Sequence, residues 1–334
     1  MKICAHITLL AALLPAASLV ASGLGVGGPI SGFYTDPRTG AVYPISGVPG
    51  SATLGQALSL GFQFVSIAPD GHTALALQNG TLVLLADITQ PTNLTPLSAW
   101  SDPIAQAVWA SDASGVVVYS LARSSLRTIT GIPANPVLNP EVRVSGEMSG
   151  LRLSRAPWSI AFDAIRVERQ GHGVAGARIK SLYLSINSNT PLKVDGVVTP
   201  GPMDFSADGN TLYVIDQADG GLLAIGVRNT PSTAPVRVAF PAGATAGVVA
   251  LSVSSDGLYL YAAEAPTKNV CAVELATGNS LFCAAPDVAP VELQQLGPSL
   301  YLLNTPTDST TPLWLLDAGQ RNVFFVPRGG QTRG

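Results

Sequence analysis

The sequence predicts an all-β propeller of six four-stranded blades plus an N-terminal β-hairpin, with seven blades as the alternative. Three observations carry the prediction. A turn motif recurs at near-constant spacing, the composition suits short strands and tight turns, and no useful 3.6-residue stripe follows the N-terminus.

Taken along the chain, the first segment reads as a signal peptide. Lys2 supplies positive charge, Ile7 to Val20 (ITLLAALLPAASLV) is apolar, and small residues follow at Ala21, Ser22 and Gly23. Cleavage is expected between residues 21 and 28, leaving a single propeller domain over 29–330. The competing reading is a membrane anchor, but the run is shorter than the ~20 residues a spanning helix needs, and Pro15 interrupts it. No later segment is long and apolar enough to cross a bilayer.

Next comes Phe33 to Ile45 (FYTDPRTGAVYPI), which reads as the outer hairpin of a blade, its Arg38-Thr39-Gly40 matching Ala276-Thr277-Gly278. With no inner pair of its own, it is expected to pack against a blade junction. The repeat then begins. Phe64 to Leu77 (FVSIAPDGHTALAL), Met203 to Val214 (MDFSADGNTLYV) and Val249 to Tyr261 (VALSVSSDGLYLY) are its clearest copies. Each alternates apolar residues into an S/A-x-D-G turn and then resumes. Aspartate bonds its own backbone and glycine accepts positive φ, so Asp-Gly marks a hairpin. Ala107 to Tyr119 has a longer turn, Leu151 to Phe162 has lost Asp-Gly, and Leu293 to Leu303 turns at Gly297-Pro298. Turn positions 70, 112, 156, 208, 256 and 297 are spaced by 42, 44, 52, 48 and 41 residues. Propeller blades recur at about 40–45 residues. Second hairpins follow, as in Leu222 to Val227 with Val236 to Phe240, and Leu313 to Leu316 with Val323 to Val326.

These motifs resemble the YVTN-type repeats of lactonase-like β-propellers. FSADGNTLYVIDQADGGLLAIGV at 205–227 and VSSDGLYLYAAEAPTKNVCAVELATG at 253–278 carry the resemblance, and the other blades follow it in outline. The resemblance implies architecture. No His/Arg/Glu set here matches a lactonase site residue by residue.

Composition limits function further. The chain is 47% hydrophobic and only 12% charged, with 34 Gly and 26 Pro among 334 residues, and its formal charge is −3. No basic patch interleaved with aromatics is present, so a nucleic-acid footprint is missing. CxxC, HExxH, GxSxG and Walker motifs are absent, and the few histidines and cysteines make a poor zinc set, so neither a cofactor nor a metal is expected. Leader removal leaves Cys271 and Cys283, which flank Ala276-Thr277-Gly278 symmetrically. A three-residue loop with Gly in the left-handed position would set them opposite each other and allow a disulfide in an oxidising compartment. Two free thiols are the other reading.

Asp70, Asp208 and Asp256 invite a reading as a ring of metal ligands, but turn capping explains them fully. Trp100, Trp109, Trp158 and Trp314 are assigned to packing between blades. The segment Arg166 to Lys180 (RVERQGHGVAGARIK) is an insertion between the second and third strands of its blade. It carries Arg166, Glu168, Arg169, His172, Arg178 and Lys180, a local positive excess on the face where propellers present variable loops. These six residues are the candidate partner-binding set, for a protein or anionic ligand. The function expected is a secreted or periplasmic, non-enzymatic binding or interaction module. The alternative is a hydrolase or lyase acting on a sugar lactone or polysaccharide at the top of the propeller axis.

Overall fold

Turn chemistry sets the local frame. The Asp70 carboxylate accepts from the amides of His72 and Thr73 at 2.8 and 2.9 Å, Asp208 from that of Asn210 at 3.1 Å, and Asp256 from that of Leu258 at 3.0 Å. The following Gly71, Gly209 and Gly257 all have positive φ. These are backbone caps, as the sequence indicates.

The computed structural model describes residues 29–328 apart from 59–60, 157, 169–176, 188, 228–233, 241–246, 298, 307 and 309. The expected leader and its cleavage region therefore lie outside the described residues. Every regular element among the described residues is a strand. Blade 1 holds β1 (Ile30–Thr35), β2 (Val42–Ser46) and β3 (Thr53–Leu54), and blade 2 holds β4 (Phe64–Ile67), β5 (Ala74–Gln78), β6 (Thr81–Leu85) and β7 (Leu94–Ala99). Blade 3 comprises β8 (Ile104–Trp109), β9 (Gly115–Ser120), β10 (Ser125–Thr130), β11 (Val137–Leu138) and β12 (Val142–Arg143). Blade 4 comprises β13 (Glu147–Leu153), β14 (Ser159–Glu168), β15 (Ala177–Ile186) and β16 (Leu192–Lys193). Blade 5 runs through β17 (Pro200–Phe205), β18 (Thr211–Asp216), β19 (Gly221–Gly226) and β20 (Val236–Arg237). Blade 6 has β21 (Val248–Val253), β22 (Tyr259–Glu264), β23 (Asn269–Glu274) and β24 (Ser280–Ala284), and blade 7 has β25 (Gln294–Gln295), β26 (Leu300–Leu302), β27 (Leu313–Asp317) and β28 (Asn322–Val326). Each sheet is an antiparallel meander in chain order; in blade 3, β11 and β12 both pair with β10. Strands are named A to D from the axis outward.

Seven apolar clusters hold the ring together, one at each junction. Leu182, Leu184, Phe205, Leu212 and Val214 join blades 4 and 5, for example, while Tyr261, Val270, Tyr301 and Leu316 join blades 6 and 7. Phe33 and Val42 of blade 1 pack on Val65, Ala74 and Leu85 of blade 2. Tyr34, Ile45 and Ala52 pack on Leu302, Leu313, Leu315 and Val326 of blade 7. The N-terminal hairpin is thus part of a seventh blade, the alternative count, because it packs on blade 7 on one side and on blade 2 on the other.

The hairpin's place in that blade differs from the expectation. Arg328, just after β28, bonds to Asp36 at 3.0 Å and to the Asp308 carbonyl in the B–C loop of blade 7. At the other end of β1, a Cβ on Gly32 would lie 3.1 Å from the Leu296 carbonyl, at an A–B turn. So β1 runs from the A–B face to the B–C face and is a B strand, with β2 and β3 as C and D. Blade 1 has no A strand among the described residues. The structure is six-fold at the axis and seven-fold outside.

Candidate functional site

Six A strands surround the axis, and hydrogen bonding puts them in one register. The amides of Ala68, Ala110, Ser154, Ser206, Ser254 and Leu296 each close an A–B turn onto the start of strand B. Two residues before those amides stand Ser66, Val108, Arg152, Asp204, Ser252 and Gln294, one per strand. All six line one axial cavity of about 450 Å³, together with Gln106, Trp109, Val249, Val291, Glu292 and others. No described residue of blade 1 lines it.

This ring breaks the repeat at Arg152 and Asp204. Arg152 donates to the Leu151 carbonyl at 2.8 Å, and its Nε stands 3.8 Å from Asp204 Oδ1. That is within ion-pair range but beyond a hydrogen bond. Asp204 Oδ2 accepts from the Val253 amide of the next blade at 2.8 Å. Burial pushes the Asp204 carboxyl up, against the opposing pull of Arg152 and of the Val253 amide. Burial also raises Glu292, whose carboxylate accepts from the Thr305 hydroxyl at 2.7 Å.

A second cavity of about 320 Å³ adjoins the first, sharing Arg152 and Val249 and lined also by Ser149, Gly150, Asp163, Lys180 and Gln217. Buried Asp163 bridges a bulge in β13, accepting from the amides of Ser149 and Gly150 and the hydroxyl of Ser149. Gly150 allows a close approach there: a Cβ would sit 3.0 Å from Met203 Cε and 3.1 Å from Asp163 Oδ2, so those side chains would have to give way. Lys180 completes the cluster at 2.8 Å from Asp163.

The expected partner-binding set is split by this arrangement. Lys180 turns inward to Asp163. Arg178 is exposed and pairs with Glu147 at 2.7 Å, whereas Arg166 donates to the Ser145 carbonyl and lies 4.7 Å over the Tyr183 ring. Arg169 and His172 lie outside the described residues, and of Glu168 only its place at the end of β14 is described. Both ends of what read as an inserted loop are ladder: β14 and β15 stay in register from Ser159↔Ile186 to Glu168↔Ala177, and residues 169–176 between them lie outside the described residues.

Cys271 and Cys283 are disulfide-bonded and directly opposed on β23 and β24. Gly278 between them has φ +73. Trp100 is buried at the blade 2–3 junction, Trp158 packs at blades 3–4 and Trp314 at blades 6–7. Trp109 packs at its junction too, and its indole donates to Ser66 Oγ at 3.0 Å beside the axis. Among the described residues no group of three His, Cys, Asp or Glu is arranged to hold a metal. Sequence reasoning missed Arg152, Asp204, Gln106, Gln294 and Glu292. The signal was present: LRLSRA and MDFSADG put charge where FVSIAPDG and LSVSSDG have serine.

No family model matches the sequence, and no curated protein does. Among solved structures, the chain is similar to TolB from Acinetobacter baumannii, at 16% identity and TM-score 0.47, over 74% of this chain and 59% of that one. It thus spans less than two thirds of the TolB chain. A chain of a nidogen/laminin complex matches at 11% identity and TM-score 0.48, over 76% of this chain and 93% of that one. Regucalcin from Agrobacterium tumefaciens, described as a calcium-binding protein, matches at 15% and 0.46, over 85% and 88%.

Proposed function

We propose that this chain is an exported, YVTN-type propeller that acts as a non-enzymatic binding module, docking a protein partner on the face that carries the B–C connections. The observation that carries the reading is the β14–β15 hairpin. Its ten-residue strands compare with six or fewer in the second and third strands of the other blades. At 3.2–3.4 Å per residue, about four extra residues project on the order of 13 Å beyond the blade. Exposed Val167 lies beside Arg166 and across the ladder from Arg178, a mixed surface suited to an acidic partner with an apolar contact. Export draws support from the apolar leader and from the disulfide, which persists in oxidising compartments. No helix among the described residues is long and apolar enough to cross a membrane.

The test is site-specific photo-crosslinking in the exporting host, with the probe at Val167 or, on the opposite face, at Ser255. A crosslinked partner is expected from position 167 alone, weakening with salt and lost with Arg166→Glu/Arg178→Glu. Equal crosslinking from 255, or none from 167, overturns the reading. The alternative of a hydrolase or lyase on a sugar lactone or polysaccharide draws on Arg152, Asp204 and Glu292, three ionisable groups that line the axial cavity. Turnover of such a substrate, abolished by Asp204→Asn, would decide for it.

A further inference from the structure

The axial cavity has a lining that packing does not require. Closing a propeller axis asks only for small or apolar residues at the A-strand positions, and Val108 shows what suffices. Instead Ser66, Arg152, Asp204, Ser252 and Gln294 fill the ring, with Gln106 and Gln295 next to it. Hydroxyls and carboxamides both donate and accept, so this wall meets either kind of group. Arg152 supplies only donors and Asp204 only acceptors when ionised. They sit 3.8 Å apart, too far to satisfy each other fully and close enough to cancel in charge.

We infer that the axial cavity binds a small, neutral, polyhydroxylated ligand of one or two sugar rings, oriented by the Arg152–Asp204 pair. A hydroxyl between the two side chains accepts from the guanidinium and donates to the carboxylate, as a bridging water does. Gln106 and Gln294 take further hydroxyls. Val249, Val291 and the edge of Trp109 give the apolar contact that a sugar's C–H surface needs. The volume, about 450 Å³, falls within the range of small-molecule sites. The lining sets two carboxylates, Asp204 and Glu292, against the one guanidinium of Arg152, so a free anion is disfavoured. The inference rests on the axis alone and is independent of docking at the β14–β15 hairpin.

The test uses full-length mature protein and calorimetric titration with glucose, galactose, maltose and cellobiose, each beside glucuronate and glucosamine as charged counterparts. At least one neutral sugar is expected to bind about tenfold or more tightly than glucuronate. Asp204→Asn and Gln294→Leu are each expected to weaken it about tenfold or more. Because Asp204 also stitches two blades, Gln294→Leu and Gln106→Leu serve as the variants least tied to folding, with melting temperature and near-UV circular dichroism as controls. A protein without residues 169–176 should bind the same sugar unchanged, which separates failure here from failure at the hairpin. Absence of neutral-sugar binding at millimolar concentration, preference for the charged sugars, or binding that survives Gln106→Leu/Gln294→Leu overturns the inference.

Discussion

Arg328 and Asp36 meet across 292 residues of sequence, one just after the last strand of blade 7 and the other just after the first strand of blade 1. Both side chains are nearly buried, and the guanidinium also lies 5.4 Å over the ring of Tyr34, whose hydroxyl burial pushes up to about 12. Burial alone would raise the Asp36 carboxyl. The Arg38 amide and the Arg328 guanidinium outweigh it and hold Asp36 below the ordinary value. A carboxylate depressed in the folded state adds stability above its unfolded pKa of about 3.9, and that stability is lost as pH falls through the folded value. Breaking one side of a buried pair costs about 3–5 kcal/mol. Asp36→Asn should therefore lower the melting temperature clearly at pH 7, and the gap from wild type should shrink below about pH 4. A gap that stays constant from pH 7 to pH 3 would mean the ion pair does not secure the closure. None of this was legible in the sequence, because Asp36 there looks like one more turn acid.

At the scale of elements, turns were read from the sequence, whereas inner-strand polarity, although displayed at Arg152 and Asp204, was passed over. The Asp-Gly hairpins and the Gly278 loop follow from local backbone chemistry, which a sequence displays directly. The N-terminal hairpin was placed one strand too far out because its turn resembles two others. Gly40 donates to the Asp36 carbonyl as Gly220 does to Asp216 in a B–C turn, and as Gly278 does to Glu274 in a C–D turn. Local chemistry is identical, and only the contacts of Arg328 and Gly32 tell them apart. Cys271 and Cys283 are opposed as the symmetric spacing about Thr277 suggests, but the turn alone does not set this: the register shifts between Ala272 and Val273, and that irregularity restores the pairing. Their bridge closes a short hairpin on an outer edge and should stabilise by at most about 3 kcal/mol. Cys283 is exposed, so mild reductant without denaturant should add 2 Da while the propeller remains folded. Loss of near-UV ellipticity on reduction alone would show that the bridge holds more than its own blade edge.

At the scale of the whole molecule, the question is what closes the ring. Six A strands meet around the axis, and the A–B turns of blades 2 and 7 approach closely: a Cβ on Gly71 would lie 3.4 Å from the Leu296 carbonyl. Outside that contact, blade 1 fills the widening gap, covering Leu302, Leu313, Leu315 and Val326 on one side and Val65, Ala74, Val83 and Leu85 on the other. Several of those side chains are fully buried, and each large one loses about 1.5–3 kcal/mol if returned to water. Their summed loss, on the order of 10–20 kcal/mol, is comparable to the 5–15 kcal/mol by which a domain is usually stable. Two apolar faces would also be left open, a surface that drives association. A protein lacking residues 30–54 should therefore fail to give a monomer with a cooperative melt, and should elute as aggregate on size exclusion. Adding the 30–54 peptide in trans should recover monomer, because the missing wedge is then supplied. If the truncated chain is instead a well-folded monomer, the blade 2–7 turn contact alone closes the propeller and the N-terminal sheet is an accessory to a six-bladed ring.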